Sequence, residues 1–439
     1  MAESSSKMKK FEGKKILFLG SNVGTIDMVR YARENGAYTI VADYYPKEKS
    51  IAKQYSDKCA LISTGDLDGL KKYIVQEGVN GVLAGVSEFN LLNAMRLCNH
   101  FNFPFYCTKE QWDEVENKEH FRKLCIRYGV PSPYTYFTGS DFTEEKLTDI
   151  SFPAIVKPVD ASSSIGVAIC RNVDSLQKAI IEAKRNSSVG KIIIEEFVEG
   201  QEFTAHYTIA DGHVSLSCVD NRVPVALRDG DVTTIPVARV YPSTFIDEYI
   251  KQVNPQMICL CKSLGMDTGV LFVQGLYDKK RNSFHIFEAG LRCAGEAPYR
   301  FIERVNGISF MNNIVDYALL GHAKDFDPLK DDPYMKGKYA CVTSFVSKGG
   351  RIGNIINYCD IEKEVLSIIG KECRYQIGEE TPDGNTLRQI VLRFVLLCDS
   401  KEQLVDDTER INKTVKVLDL DGNDLCYTFD VRNYYSDKQ

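Results

Sequence analysis

Short apolar runs alternate with amphipathic stretches along residues 14–112, and this is the clearest pattern in the chain. KKILFLG (14–20) predicts a buried strand, followed by a glycine turn, SNVGT, and the helical spacing of IDMVRYARENG. TIVADYY (39–45), CALIST (59–64) and GVLAG (81–85) predict further strands with amphipathic helices between them. Strands alternating with helices predict a parallel, doubly wound sheet. Residues 113–150 read as helices and a linker. KEHFRKLCIRYGVPSP (118–133) ends at Gly129 and Pro131, as a helix does.

From residue 151 the pattern shifts to longer strands with few helices: FPAIVKP, GVAICR, KIIIEEFV and QEFTAHYTIADGHVSLSCVDN. That is mixed or antiparallel character. One helix is expected over 243–264, then two strands, GVLFVQGLYD (269–278) and SFHIFEAG (283–290), joined by the turn Lys279-Lys280-Arg281-Asn282. VDNRVPVALRDGDVTTIPVARVYPS (219–243) is turn-rich, and is expected to wall or gate a pocket. Beyond a turn-rich stretch near 323–338, residues 339–439 return to strands and helices and predict a terminal α/β domain.

Composition narrows the functional classes. A chain of 439 residues exceeds one ordinary core and calls for two to four domains. A net charge of −6 gives no electrostatic case for nucleic acid. The longest apolar runs, such as 390–398, carry Arg393 and are too short to cross a membrane. The first residues are polar, without the apolar stretch of a secretory signal, and are expected to be a disordered lead-in. The 14 cysteines are scattered, with no C-x-x-C pair, which suits buried thiols in a reducing cytoplasm. Six dispersed histidines argue against a catalytic histidine or zinc cluster.

The stretch FPAIVKPVDASSSIGV (152–167) raises the chemistry. A buried strand ends on Lys157 and runs into three serines and a glycine. A surface turn would look the same, but an ammonium beside a loop of close backbone N–H groups is also a phosphate site. No G-x-x-x-x-G-K-[ST] loop occurs in the chain. Gly20, Gly24 and Asp43 leave a dinucleotide site open, although GSNVGT does not match G-x-G-x-x-G. Further along, polar residues at strand ends form an ordered set. Lys118 opens a helix, and Glu195-Glu196-Phe197-Val198 ends a strand with Glu202 just beyond. Gln274 and Glu288 lie on hairpin strands where side chains can face one another. Arg292 follows closely.

This order and spacing resemble the ATP-grasp superfamily of carboxylate–amine ligases, nearest to the amino-acid ligase, carbamoyl phosphate synthetase and biotin carboxylase branch. The resemblance covers about residues 14–330 and, more loosely, the C-terminal domain. It implies an α/β ATP-grasp fold: a lead-in (1–13), an N-terminal Rossmann-like domain (14–112), an ATP-grasp domain (113–330) with a mobile lid at about 151–205, and a C-terminal α/β domain (331–439). It implies ATP and Mg²⁺, with Mn²⁺ as a substitute, and an enzyme that activates a carboxylate as an acyl phosphate and couples it to an amine. The alternatives are a non-catalytic nucleotide-binding relative and, behind it, an NAD-binding oxidoreductase. Small-molecule substrates are the expected partners, with neither nucleic acid nor membrane; a homodimer is allowed for, and the location is cytoplasmic.

The resemblance also assigns roles. Lys118 and Lys157 hold phosphates, and Ser162, Ser163, Ser164 and Gly166 form the loop closing over them. Glu195, Glu196 and the Val198 backbone read the adenine edge, and Glu202 takes the ribose hydroxyls. Gln274 and Glu288 are the metal ligands, and Arg292 faces the acyl phosphate. Arg222, Arg292 and, less directly, Arg228 are available as carboxylate clamps; Glu88, after the GVLAG strand, is placed either for the substrate's amine or for a helix N-terminus. Two departures stand out. Glutamine replaces the usual acid at 274, and E-x-N-x-R becomes Glu288-Ala289-Gly290-Leu291-Arg292, so that either water or a neighbour such as Glu296 supplies the missing oxygen or the second metal site is weak.

Overall fold

The computed structural model describes residues 9–161, 165–225, 235–323, 327–384 and 386–435. Four strands, β1 (Lys15–Leu19), β2 (Tyr38–Asp43), β3 (Lys58–Leu61) and β4 (Gly81–Ala84), pair in parallel in the order β3-β2-β1-β4. The four interleaved helices are α1 (Val23–Glu34), α2 (Ile51–Tyr55), α3 (Leu67–Glu77) and α4 (Glu88–Phe101). After Lys15, β1 is apolar and buried (residues 16–19) because the sheet is covered by protein on both faces. Asp43 does not await a ribose: its carboxylate accepts from Ser50 Oγ (2.6 Å) and pairs with buried Lys53 (3.1 Å). That occupation removes the residue on which the dinucleotide reading depended.

Helices α5 (Lys109–Glu116) and α6 (Lys118–Tyr128) follow, and α6 stops on Gly129 in the left-handed conformation. Four strands, β5 (Thr135–Gly139), β6 (Ala154–Pro158), β7 (Ala168–Cys170) and β8 (Ile192–Glu196), form an antiparallel sheet in the order β5-β8-β6-β7. Helix α7 (Val173–Asn186) packs Leu176, Ala179, Ile180 and Ala183 into that sheet's core. A second antiparallel sheet, β10-β9-β13-β14, uses β9 (Gln201–Ala210), β10 (His213–Val219), β13 (Gly269–Asp278) and β14 (Ser283–Gly290). Only residues 197–200 connect β8 of the first sheet to β9 of the second.

The stretch 219–243 does more than wall a pocket. It supplies β11 (Asn221–Val225) and β12 (Ile235–Tyr241), which join a C-terminal sheet through β15 (Tyr339–Ser347) and the strands Ile390–Cys398 and Ile368–Cys373. The single helix expected over 243–264 is two, α8 (Ile246–Gln252) and α9 (Asn254–Ser263). Pro255 sits in the first turn of α9, where a missing N–H costs nothing, and Val253 breaks the helical path before it. All fourteen cysteines are free thiols. Among the described residues no helix is long and apolar enough to cross a membrane.

Candidate active site

The two antiparallel sheets close on a cavity of about 480 Å³. Into it project Lys118 from α6, Lys157 from β6, Glu195 and Glu196 from β8, Val198 from the connector, Glu202 from β9, Arg222 from β11, Gln274 from β13 and Glu288 from β14. Residues from 118 to 288 in sequence thus meet because β8 ends and β9 begins there, and the β13–β14 hairpin brings Gln274 and Glu288 beside them. Ile155, Ile169, Phe203, Leu276 and Phe287 supply apolar walls.

Lys157 is buried, its Nζ 2.5 Å from Glu195 Oε2 and 5.6 Å from the Phe287 ring centre. Burial pushes its pKa down; Glu195 opposes this, while Arg122 and Lys118 add to it. Glu195 is fully buried, so its carboxylate does not reach out to a base edge as expected. One oxygen is gripped by Arg122 through Nε (2.9 Å) and a second guanidinium nitrogen, the other by Lys157. Burial alone would raise its pKa, but the two cations outweigh that and hold it below the usual carboxylate range. Arg122 was not legible as a site residue. It lies four positions after Lys118 on the same helical face, which was the available signal.

Lys118 Nζ donates to the Ala161 carbonyl (2.7 Å), so the helix start is tied to the loop after β6. Ser162, Ser163, Ser164 and Arg228 lie outside the described residues. Gly166 does not line the cavity; it turns the loop back with φ +71°, where a Cβ would strike Pro158 (2.9 Å) and Asn186 (3.0 Å). Among the described residues, the main-chain N–H and C=O of Val198 make no hydrogen bond and stand available at the cavity wall. Glu196 accepts from the Tyr134 N–H (2.8 Å). Glu202 and Arg222 form an ion pair with each other.

Gln274 and Glu288 are direct partners across the β13–β14 ladder, so both side chains face the same side of the hairpin. Among the described residues neither side chain has a hydrogen bond or ion pair. Two oxygen donors face each other without protein partners, which suits Mg²⁺, a cation that takes one or two protein oxygens and fills its octahedron from phosphate and water. Among the described residues no group of three His, Cys, Asp or Glu is gathered that could hold a metal by itself.

Arg292 lies just outside this cavity. Its guanidinium donates to Glu88 Oε1 through Nε (3.2 Å) and a terminal nitrogen (2.8 Å), and sits 4.8 Å above the Phe272 ring. Burial would lower its pKa, but Glu88 and Glu116 raise it on balance. Glu296 is not the substitute for the missing asparagine, since Arg239 holds it at 3.2 Å and helps to bring its pKa down to about 2 against burial. The oxygen closest to the Gly290 position is instead Glu116 Oε1, 3.0 Å from where a Cβ would stand, and it accepts the Leu291 N–H (3.1 Å). Burial, then Glu88, push the Glu116 pKa up to about 8. In sequence, Glu116 is one of several charged residues ending an exposed-looking helix, and nothing in its spacing marks it.

Two antiparallel sheets gripping a polar cavity, beside a parallel α/β unit, define an ATP-grasp architecture. Residues 126–225 match the family model described as D-ala D-ala ligase C-terminus. Formate-dependent phosphoribosylglycinamide formyltransferase of Prochlorococcus marinus is 28% identical over 199 residues, 44% of this chain and 50% of the relative. The carbamoyl phosphate synthase large chain of Clostridium perfringens is 23% identical over 346 residues, 75% of this chain and 31% of the relative. The chain therefore spans half or less of the length of these curated relatives. The biotin carboxylase domain of Hydrogenobacter thermophilus 2-oxoglutarate carboxylase, solved as a dimer with MgADP, ADP and bicarbonate, superposes with a TM-score of 0.74 at 15% identity, covering 92% of this chain and 90% of that one. The chain has the ATP-grasp fold.

Proposed function

We propose that the chain is an ATP-dependent carboxylate–amine ligase. A carboxylate oxygen attacks the γ-phosphorus of ATP, releasing ADP and forming an acyl phosphate. An amine then attacks the acyl carbon, loses a proton and expels phosphate, leaving an amide. The observation that carries this reading is the single cavity shared by Lys118, Lys157, Val198, Gln274 and Glu288. The relatives add support: the names formate-dependent formyltransferase and D-ala D-ala ligase refer to carboxylic acids, and the biotin carboxylase neighbour holds MgADP.

In this reading Lys157 and Lys118 meet the phosphates. The free Val198 main-chain groups pair with the adenine edge, and Glu196 flanks them. Glu202 takes the ribose hydroxyls, and Arg222, its ion-pair partner, is the clamp for an anionic substrate. Gln274 and Glu288 would hold Mg²⁺ or Mn²⁺, which when bound neutralises phosphate charge and polarises the transferring group. Arg292 presents its fork to the carboxyl group as charge develops, and Glu88 passes from Arg292 to the incoming amine. The protein acts in the cytoplasm, and a homodimer follows the assembly described for the biotin carboxylase neighbour.

ADP release, screened over carboxylic acids paired with amines, tests the reading. Stimulation that requires both a carboxylate and a divalent cation is expected. Tight ATP binding with no stimulation across a broad screen would favour the second reading, a non-catalytic nucleotide-binding protein, for which the glycine at 290 is the specific observation.

A further inference from the structure

We propose that Arg122 is a positioning residue for the phosphate-binding lysine: it takes one oxygen of buried Glu195, fixing Lys157 while leaving the cluster of Arg122, Glu195 and Lys157 one net positive charge for phosphate. This inference rests on the ATP-binding reading above.

Three charges lie together, buried at the back of the cavity. Arg122 is 5% exposed, Lys157 7% and Glu195 0%. Glu195 Oε1 is bound by Arg122 and Oε2 by Lys157, so one carboxylate answers two cations. A Lys157–Glu195 pair alone would be neutral, with the lysine committed to its partner. Adding Arg122 restores a net charge of one. A buried charge without a counter-charge is unfavourable, and a polyphosphate entering the cavity relieves it. Lys157 and Glu195 line that cavity and Arg122 does not, so Arg122 supplies charge and geometry from behind. The downward pull on the Lys157 pKa from Arg122 and Lys118 agrees with surplus positive charge at this point.

Arg122 also fixes where that charge stands. A third nitrogen donates to the Ile286 carbonyl on β14 (2.9 Å), two residues before Glu288. The same guanidinium therefore ties β8 of one sheet to β14 of the other, setting the lysine against the proposed metal ligands.

The test is calorimetric binding of ADP and of a non-hydrolysable ATP analogue to four proteins: wild type, Arg122→Gln, Glu195→Gln, and the double variant. Arg122→Gln makes the cluster neutral and is expected to weaken binding about 10- to 100-fold. The double variant returns the cluster to one positive charge, carried by Lys157, and is expected to recover to within about threefold of wild type. A structural role alone cannot give this rescue, because the double variant removes more native contacts than the single one. Unchanged affinity in Arg122→Gln overturns the proposal, and so does failure of the double variant to recover. Should Arg122→Gln not fold, Arg122→Lys replaces it: near-native affinity supports the proposal, and a loss as large as the 10- to 100-fold expected for a neutral cluster overturns it. Absence of nucleotide binding in the wild type would instead remove the ATP-binding reading itself, and this inference with it.

Discussion

Gly290→Asn puts back the residue that the family resemblance leads one to expect, yet the structure predicts that it damages the protein. A Cβ at 290 would stand 2.6 and 2.7 Å from two Phe272 ring carbons and 3.0 Å from Glu116 Oε1. Carbon atoms are comfortable at about 3.5–4.0 Å, so the overlap is roughly 1 Å. Phe272 cannot simply swing aside, being 4% exposed with the Arg292 guanidinium 4.8 Å above its ring. Overpacking of this kind costs about 1–3 kcal/mol. Each kcal/mol lowers Tm by about 2–4 °C for a cooperative unit of 150–250 residues. Thermal and urea denaturation of Gly290→Asn, Gly290→Ala and Gly290→Asn/Phe272→Leu would measure it. The alanine variant should lose most of the same stability, because the collision begins at Cβ, and the double variant should regain part of it. Native-like stability of Gly290→Asn together with tighter Mn²⁺ binding would refute the reasoning, since the pocket would then have room for an amide ligand.

Other outcomes follow from the same geometry. Lys157→Ala should keep the fold and weaken nucleotide binding, and calorimetry giving an unchanged affinity would return residues 152–167 to an ordinary surface turn. Arg292→Ala should lower kcat about 100- to 1,000-fold with little effect on ATP affinity, whereas Glu288→Ala should lose divalent-dependent turnover; steady-state kinetics beside direct binding separates the two. His206 is 1% exposed, and burial, then Arg239, lower its pKa to about 3. The unfolded chain, with a histidine pKa of about 6.5, then binds one more proton between pH 6.5 and 3. Stability should therefore fall as pH drops below about 6.5, by up to about 1.4 kcal/mol per pH unit from this residue. Denaturation midpoints between pH 7.5 and 5 should show a shallower slope in His206→Gln.

Legibility in the sequence depended on where each contact is made. The parallel sheet rested on local periodicity, and β1 to β4 stand where the apolar runs place them. Gln274 and Glu288 face each other because a short hairpin fixes its own register. Arg122 and Glu116 escaped notice because a charged residue on an amphipathic helix looks solvated until another sheet packs over it. β11 and β12 were hidden by Pro224 and Pro236, which seem to forbid a strand but pair with each other beside a register shift, β11 lying at the sheet edge. β5 was read as linker because it is a five-residue edge strand with no buried run.

The pairing of β12 with β15 has a consequence for how the chain is made. Val240 meets Cys341 and Tyr241 meets Ala340, partners about a hundred residues apart. During synthesis β11 and β12 leave the ribosome long before β15 exists, so their edge must wait. Every residue of β12 is buried in the finished sheet, and its sequence, IPVARVY, is apolar apart from Arg239. An apolar strand with an unpaired edge is a template for association between chains. Chains stalled or cut between 241 and 339 would carry that edge permanently, so aggregation of such fragments, rather than a smaller folded protein, is what this topology dictates.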